Sequence, residues 1–189
     1  MSKYYRITKD CEPRLRERCT PIENPNDDKI IELLNKMHEY LVASQDETKR
    51  EKYHMREGVG LAAPQIGQNI RALVVYYPDN FDENDNPIHY VDHRLINPKI
   101  VAESIKEIAL KGGEGCLSVD EEHQGYVYRK YKITVKAFDA KERKDIMFTA
   151  KGYEAIVLQH ELDHLNGVLF YDHIDKTNPF KVKPGADLI

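Results

Sequence analysis

Between residues 26 and 44 apolar side chains recur every three or four positions. The stretch NDDKIIELLNKMHEYLVAS sets Ile30, Leu33, Leu34, Met37, Tyr40 and Leu41 on a helical period. Asn26 or Asp27 stands where an N-cap belongs, so the spacing predicts a helix entered there. QDETKREKYHMRE follows, charged along most of its length, and predicts a solvated helix end or loop. The period then shortens. RALVVYY reads as a β-rich run, PDNFDENDNP as a turn-rich insertion, and RLINPKIV and ESIKEIAL as strands around a break at Asn97-Pro98. YVYRKYKITVKAFDA alternates well enough for a strand or two, and KERKDIMFTAKG for a turn and another strand. YEAIVLQHELDHLNG returns to helical spacing and closes on Asn166-Gly167, a favourable C-cap pair.

A helix, several short strands joined by turns, and a late helix define the α+β class. The pattern predicts mostly antiparallel, short-stranded sheets packed around the late helix, with an N-terminal helix. No internal repeat or Gly/Ser/Pro linker divides the chain, so residues 1–189 read as a single domain. The polar stretch 175–189 reads as a partly flexible tail.

Composition narrows the setting. The chain has 189 residues, 41% hydrophobic and 32% charged, ordinary for a soluble protein with a real core. A net charge of −4 argues against a nucleic-acid-binding surface. No apolar run is long enough for a transmembrane helix, and MSKYYRITKDCEPRLRER lacks the apolar centre of a signal peptide. Three cysteines without a secretion signal suggest a reducing compartment, so a cytoplasmic location is expected. Cys11 and Cys19 read as packing residues.

The chemistry concentrates in QHELDHLNG. On a helix, His160 and His164 lie one turn apart on one face, where both imidazoles reach one metal ion, and Glu161 beside them can act on a water at that ion. Tyr153, Ile156 and Val157 continue the same face as an apolar stripe. A hydrolytic centre needs a third ligand. One metalloprotease class takes it from H-E-x-x-H-x-x-G-x-x-H, but Phe170 stands where that third histidine belongs and cannot ligate, so that class is excluded. Asp172, His173, Asp175 and, upstream, Cys116 in its glycine-rich stretch are the remaining candidates. GVGLAA also fits the spacing of a dinucleotide fingerprint. It neither follows a buried strand nor opens a helix, and Pro64 comes at once, so that reading fails. Two readings remain open: Gly58–Gly67 is an ordinary turn with Gln65 on the surface, or Gly58 and Gly60 bring backbone close to a peptide-like substrate, with Gln65 offering an amide donor.

GVGLAAPQIG, EGCLS and QHELDHLNG stand in order, and together they resemble the three signature motifs of bacterial peptide deformylase. The resemblance covers most of the chain. GEGCLSVDEEHQGYVYR and the inserts resemble the type 2 class typical of Gram-positive bacteria, Asp120 replacing the proline of the commoner second motif. DCEPRLR resembles the family's N-terminal segment only loosely, with Cys11 and Glu12 in place of the usual residues. The resemblance implies Cys116, His160 and His164 as metal ligands and Glu161 as general acid and base. It implies Gln65 and the Leu117 backbone N–H as donors to the formyl oxygen. Gly60 would bond the peptide backbone, and Val59, Leu117, Tyr153, Ile156 and Val157 would line a methionine pocket. Glu114 and Arg129 would form an ion pair bracing the Cys116 loop.

The implied reaction is hydrolysis of the formyl group from N-formyl-methionyl nascent peptides, releasing formate. Ferrous iron is the implied metal, with Ni2+, Co2+ or Zn2+ as substitutes; the ligand set by itself would equally suggest zinc. A transient ribosome contact, no membrane partner and no specific nucleic-acid partner complete the expectation. Two alternatives stand beside it. One is a metalloprotease or amidase on the same helix. The other is a non-catalytic, metal-stabilised domain that binds peptides or ribosomes, its site closed by Cys11 or Cys19.

Overall fold

The structure, a computed structural model, describes residues 4–189; residues 1–3 of the expected 1–189 unit lie outside the described residues. The periodic N-terminal segment is helix α1 (Asp28–Gln45). Asp27 caps it, its side chain accepting the Lys29 backbone N–H at 2.8 Å and so satisfying a donor that the first turn leaves free. Ile31, Leu34, Met37 and Leu41 form its buried face. The charged stretch beyond is a short helix, α2 (Glu47–Tyr53), capped by Asp46 and burying none of its residues.

Among the described residues, eight strands follow the expected α+β plan. They are β1 (Gly60–Ala62), β2 (Ala72–Phe81), β3 (Pro87–Glu103), β4 (Glu107–Ala109), β5 (Arg129–Lys130), β6 (Lys132–Asp139), β7 (Lys144–Lys151) and β8 (Asp187–Leu188). The main sheet runs β1-β2-β3-β6-β7, antiparallel at every step. A smaller sheet runs β5-β4-β8, with β4 and β8 parallel. Helix α1 packs on one face of the main sheet and α3 (Tyr153–His164) on the other. Strand β2 shows why its sequence is a continuous apolar run. Ala72 and Val74 join the α1 cluster while Leu73 and Val75 join the α3 cluster, so neither face meets water.

Several expectations change. Asn97-Pro98 does not separate two strands. Asn97 takes a left-handed conformation, φ 51°, inside a bulge of β3, which pairs with β6 on both sides of it. Pairing with β6 continues because the extra residue is absorbed locally. The chain leaves the strand only at Ser104. The turn-rich insertion is the β2–β3 hairpin, whose tip is closed by Asp82 accepting the backbone N–H groups of Asn84 and Asn86. Residues 175–189, which composition reads as a tail, return to the body at β8. Cys19 is buried in the core, but Cys11, read as a packing residue, is exposed. No helix among the described residues is long and apolar enough to cross a membrane.

The end of α3 is tied to the N-terminal segment. Gly167 has φ 73°, and a Cβ there would sit 2.2 Å from the Arg16 carbonyl oxygen. The Cys19 N–H donates to the Leu165 carbonyl at 3.0 Å in the same seam. Gly167→Ala should therefore lower the unfolding free energy by about 1–2 kcal/mol from the left-handed conformation alone, and by more where the clash cannot relax. Urea unfolding measures this, and an unchanged midpoint would contradict the seam.

Candidate metal centre

Helix α3 begins at Gly152, whose φ of 61° turns the chain sharply out of β7. Its apolar first half seats it on the sheet: Ala155, Val157, Leu158 and Leu162 pack against Leu73, Val75, Leu95, Ile133 and Val135. That seating carries His160, Glu161 and His164 toward the loop holding Cys116. The ligand atoms of Cys116, His160 and His164 all lie within 4.8 Å of one another, and all three residues line the interior. Cys116 Sγ is 3.2 Å from His164 Nε2. The third ligand left open by spacing is thus Cys116. Asp172 instead pairs with Arg16, and His173 contacts Asp163. Asp175 caps its own turn at Thr177 and Asn178.

The surroundings of the three donors suit a cation. His160 Nδ1 is 2.7 Å from Glu114 Oε2, which orients the ring and leaves Nε2 for the Cys116 side. Arg129 donates to both oxygens of Glu114, at 2.8 and 2.9 Å, and its other arm reaches Asp163 Oδ2 at 2.5 Å. Burial would push the Glu114 carboxyl upward, but the hydrogen bonds from Arg129 and His160 outweigh it and hold it at about 2. Burial would likewise lower the pKa of His160, yet its contacts with Cys116 and Glu114 raise it well above the ordinary value. The site therefore calls for positive charge at this ring. Burial, then the neighbouring His160, pushes His164 well below its ordinary value, leaving the neutral imidazole that ligates metals. A divalent ion fits this donor set. Among the described residues no fourth ligand joins the three, as a catalytic rather than structural site requires. Cys19 is packed in the core and Cys11 is exposed, so neither closes it.

Glu161 stands beside the centre. It is almost fully buried, its Oε2 has no hydrogen-bond partner among the described residues, and burial pushes its carboxyl up to about 7. Gly60 makes room for it: a Cβ there would lie 2.2 Å from Glu161 Oε1. Gln65 is pinned at both ends. Its Oε1 accepts the Ala62 N–H at 2.7 Å, and its Nε2 faces Ser118 Oγ at 3.1 Å and Cys116 Sγ at 3.6 Å. This arrangement aims the amide N–H groups, rather than the oxygen, at the centre. The Leu117 N–H has no acceptor among the described residues, whereas the next N–H, of Ser118, points at Cys116 Sγ at 3.4 Å.

One cavity gathers these groups. Val59, Gly60, Gln65, Glu114, Cys116, Leu117, Tyr153, Ile156, Val157, His160 and Glu161 all line it. Of the residues singled out from sequence, His164 and Arg129 lie behind its wall, one against Cys116 and the other against Glu114. The cavity measures about 270 Å³, near the lower end for small-molecule pockets, so it suits one side chain and its backbone. Sequence reasoning missed Ser118, fully buried against Gln65, and Asp163, which holds Arg129. Both sit inside motifs already singled out, EGCLS and HELDH, so the signal was adjacency to a ligand. It also missed what Phe170 does: its ring stacks on His160 at 6.0 Å with an 18° interplanar angle.

A corner clear of protein ligands, with a buried acid beside it, suits the attack of water, and the class that fold and site define is a metal-dependent hydrolase. Comparison with known proteins narrows it. The polypeptide deformylase family matches residues 4–180. A peptide deformylase of Lacticaseibacillus casei is 49% identical over 184 residues, covering 97% of this chain and 96% of that one. A solved peptide deformylase from Ehrlichia chaffeensis superposes with a TM-score of 0.73 at 31% identity, covering 94% of this chain and 91% of that one. A Met-Ala-Ser-bound peptide deformylase from Acinetobacter baumannii gives a TM-score of 0.69 at 28% identity, covering 92% and 100%. The chain belongs to the polypeptide deformylase family, and its Cys/His/His centre is that of an active deformylase.

Two substitutions test the geometry. Glu114→Gln should weaken metal binding about 10–100-fold, because His160 loses its charged orienting partner; competition with a chelator measures this, and unaltered affinity would remove Glu114 from the centre. Gly60→Ala should displace the Glu161 carboxylate and depress kcat while metal content stays at the wild-type level. A variant with normal kcat would show that the close approach has no consequence.

Proposed function

We propose that this centre removes the formyl group from N-formyl-methionine at the start of nascent polypeptides, with the residues in the following roles. Cys116, His160 and His164 hold one divalent ion, which supplies Lewis acidity and lowers the pKa of a water molecule. Glu161 takes that proton and later delivers it to the departing amine; its raised carboxyl suits both exchanges near neutral pH. The Gln65 amide and the Leu117 N–H donate to the oxygen that gains charge as water attacks. A single such donor is typically worth about 3–4 kcal/mol. The observation that carries the reading is the meeting of Cys116 with His160 and His164 beside a buried, unpaired Glu161 oxygen.

Methionine fits the apolar wall of Val59, Leu117, Ile156 and Val157, with Tyr153 at the more exposed end. A long, unbranched thioether adapts to such a slot. The rest of the peptide has a backbone edge to follow: β1 is the terminal strand of the main sheet, and Gly60 lies both on it and on the cavity wall. The Met-Ala-Ser bound to the Acinetobacter protein supports a substrate of this kind.

The finer assignments rest on resemblance. We read residues 1–189 as one catalytic unit of the type 2 class, supported by Asp120 after the second motif. Ferrous iron is the proposed native metal, with nickel, cobalt or zinc as substitutes. A cytoplasmic location and a transient ribosome contact follow from a substrate that is a nascent chain. A protease reading is disfavoured by Phe170, which fills the third-histidine position with a stacked ring.

The test is release of formate from formyl-Met-Ala-Ser, measured anaerobically beside the metal content of the same sample. Glu161→Ala should retain metal and lose formate release, and normal turnover in that variant would break the mechanism. Gln65→Ala should lower kcat about 10²–10³-fold with little change in KM. A raised KM with intact kcat would contradict the oxyanion role.

A further inference from the structure

Helix α1 covers only part of its side of the main sheet. It packs on β2 and β3 and reaches β6 only at Phe138; on the same face Lys132 and Lys136 of β6 and Met147 and Lys151 of β7 stay exposed. Alternation places Ile133, Val135 and Ala137 inward with the α3 cluster, so Lys132, Thr134 and Lys136 face outward. Register then sets Lys151 directly opposite Lys132, and Lys99 of β3 and Met147 of β7 on either side of Lys136. All four lysines are exposed. Among the described residues none of their ammonium groups has an ion-pair or hydrogen-bond partner. The acid in register on this face is Asp145, opposite Phe138 at the far end of the row, while Glu103 stands opposite the inward Ile133; neither pairs with any of the four.

This arrangement runs against what a merely solvated sheet face favours. Like charges directly opposite each other destabilise a sheet, and opposite charges stabilise it. Many lysines elsewhere are matched, Lys9 with Asp120, Lys36 with Glu32, Lys106 with Asp187, and Lys130 and Lys183 with Glu107; what sets these four apart is that register places them in like-charged pairs on one face. The chain as a whole is negative, at −4, so this face is a local reversal of sign that the net charge conceals.

We propose that the outer face of β3-β6-β7 docks the sugar-phosphate backbone of RNA without reading its sequence. The two lysine pairs lie four residues apart along β6, about 13 Å at strand spacing, and present an even positive strip. The side chains favour phosphate over a protein partner. Lysine is depleted in protein–protein interface cores but serves as a point-charge phosphate contact. There is no arginine at these outward positions, and the one aromatic residue, Phe138, packs toward the α1 cluster, so base stacking has no platform.

The test is fluorescence anisotropy of a 5′-fluorescein-labelled, mixed-sequence 20-nucleotide RNA with the full chain at low salt. The expected dissociation constant is about 10⁻⁶–10⁻⁴ M, the range of backbone-only binding. The triple variant Lys99→Gln, Lys132→Gln, Lys136→Gln should bind at least about tenfold more weakly. Its slope of log affinity against log salt should be shallower by about 2, since each phosphate contact contributes about 0.7 on single strands. Its thermal midpoint should not fall, because like-charge repulsion has been removed. The same three positions changed to arginine should retain binding. No RNA binding by the wild-type chain, or equal binding by the glutamine variant, would overturn the proposal. Tighter binding of polyglutamate than of RNA would also overturn it, in favour of an acidic protein partner.

Discussion

The centre depends on one buried carboxylate. Glu114 takes two hydrogen bonds from Arg129 and one contact from His160, and it has almost no exposure of its own. Removing a single member of such a buried charge pair typically destabilises a protein by about 3–5 kcal/mol, because its partner is left uncompensated. Here the same group also orients a metal-binding ring. Folding and ligand geometry are therefore linked through one side chain. Arg129 lies at the start of the short β5 strand and reaches Asp163 in the last turn of α3, so the small sheet and the catalytic helix are clamped together behind the cavity.

From that clamp the remaining geometry follows. The Cys116 loop is held by Glu114 two residues before the ligand and by Gln65 and Ser118 beside it, leaving the sulfur aimed at His164. The 3-10 turn at 170–173 sets Phe170 against His160 and brings His173 to Asp163 at 2.7 Å. Gly60 lets the edge strand run within touching distance of Glu161. Each contact removes freedom from a group that must not reorganise during reaction, the condition under which fixed dipoles and charges stabilise a transition state most.

Much of this was legible in the sequence, and the gaps have physical reasons. Helix α1 was readable because period and Asp27 cap agree. The His160 and His164 pair was readable because helical spacing is a local property. Cys116 could not be derived as third ligand from local pattern, since only the packing of α3 against the sheet brings the segments together; resemblance supplied it. The break read at Asn97-Pro98 shows the converse error. Local signals mark a turn there, but pairing with β6 on both sides turns the irregularity into a bulge. Ser118 and Asp163 were in plain view but mute, because their partners are distant in sequence. The lysine face was hidden for the same reason: charges on β3, β6 and β7 become neighbours only once register is known.

The central claim is that one sulfur and two imidazoles converge on one cation. Its most direct measurement is the electronic absorption spectrum of the cobalt-substituted protein, recorded with its cobalt content. The account predicts one bound cobalt per chain, with a sulfur-to-cobalt charge-transfer band that disappears in Cys116→Ser. A stoichiometric cobalt complex without that band, or one whose band survives the substitution, would contradict it.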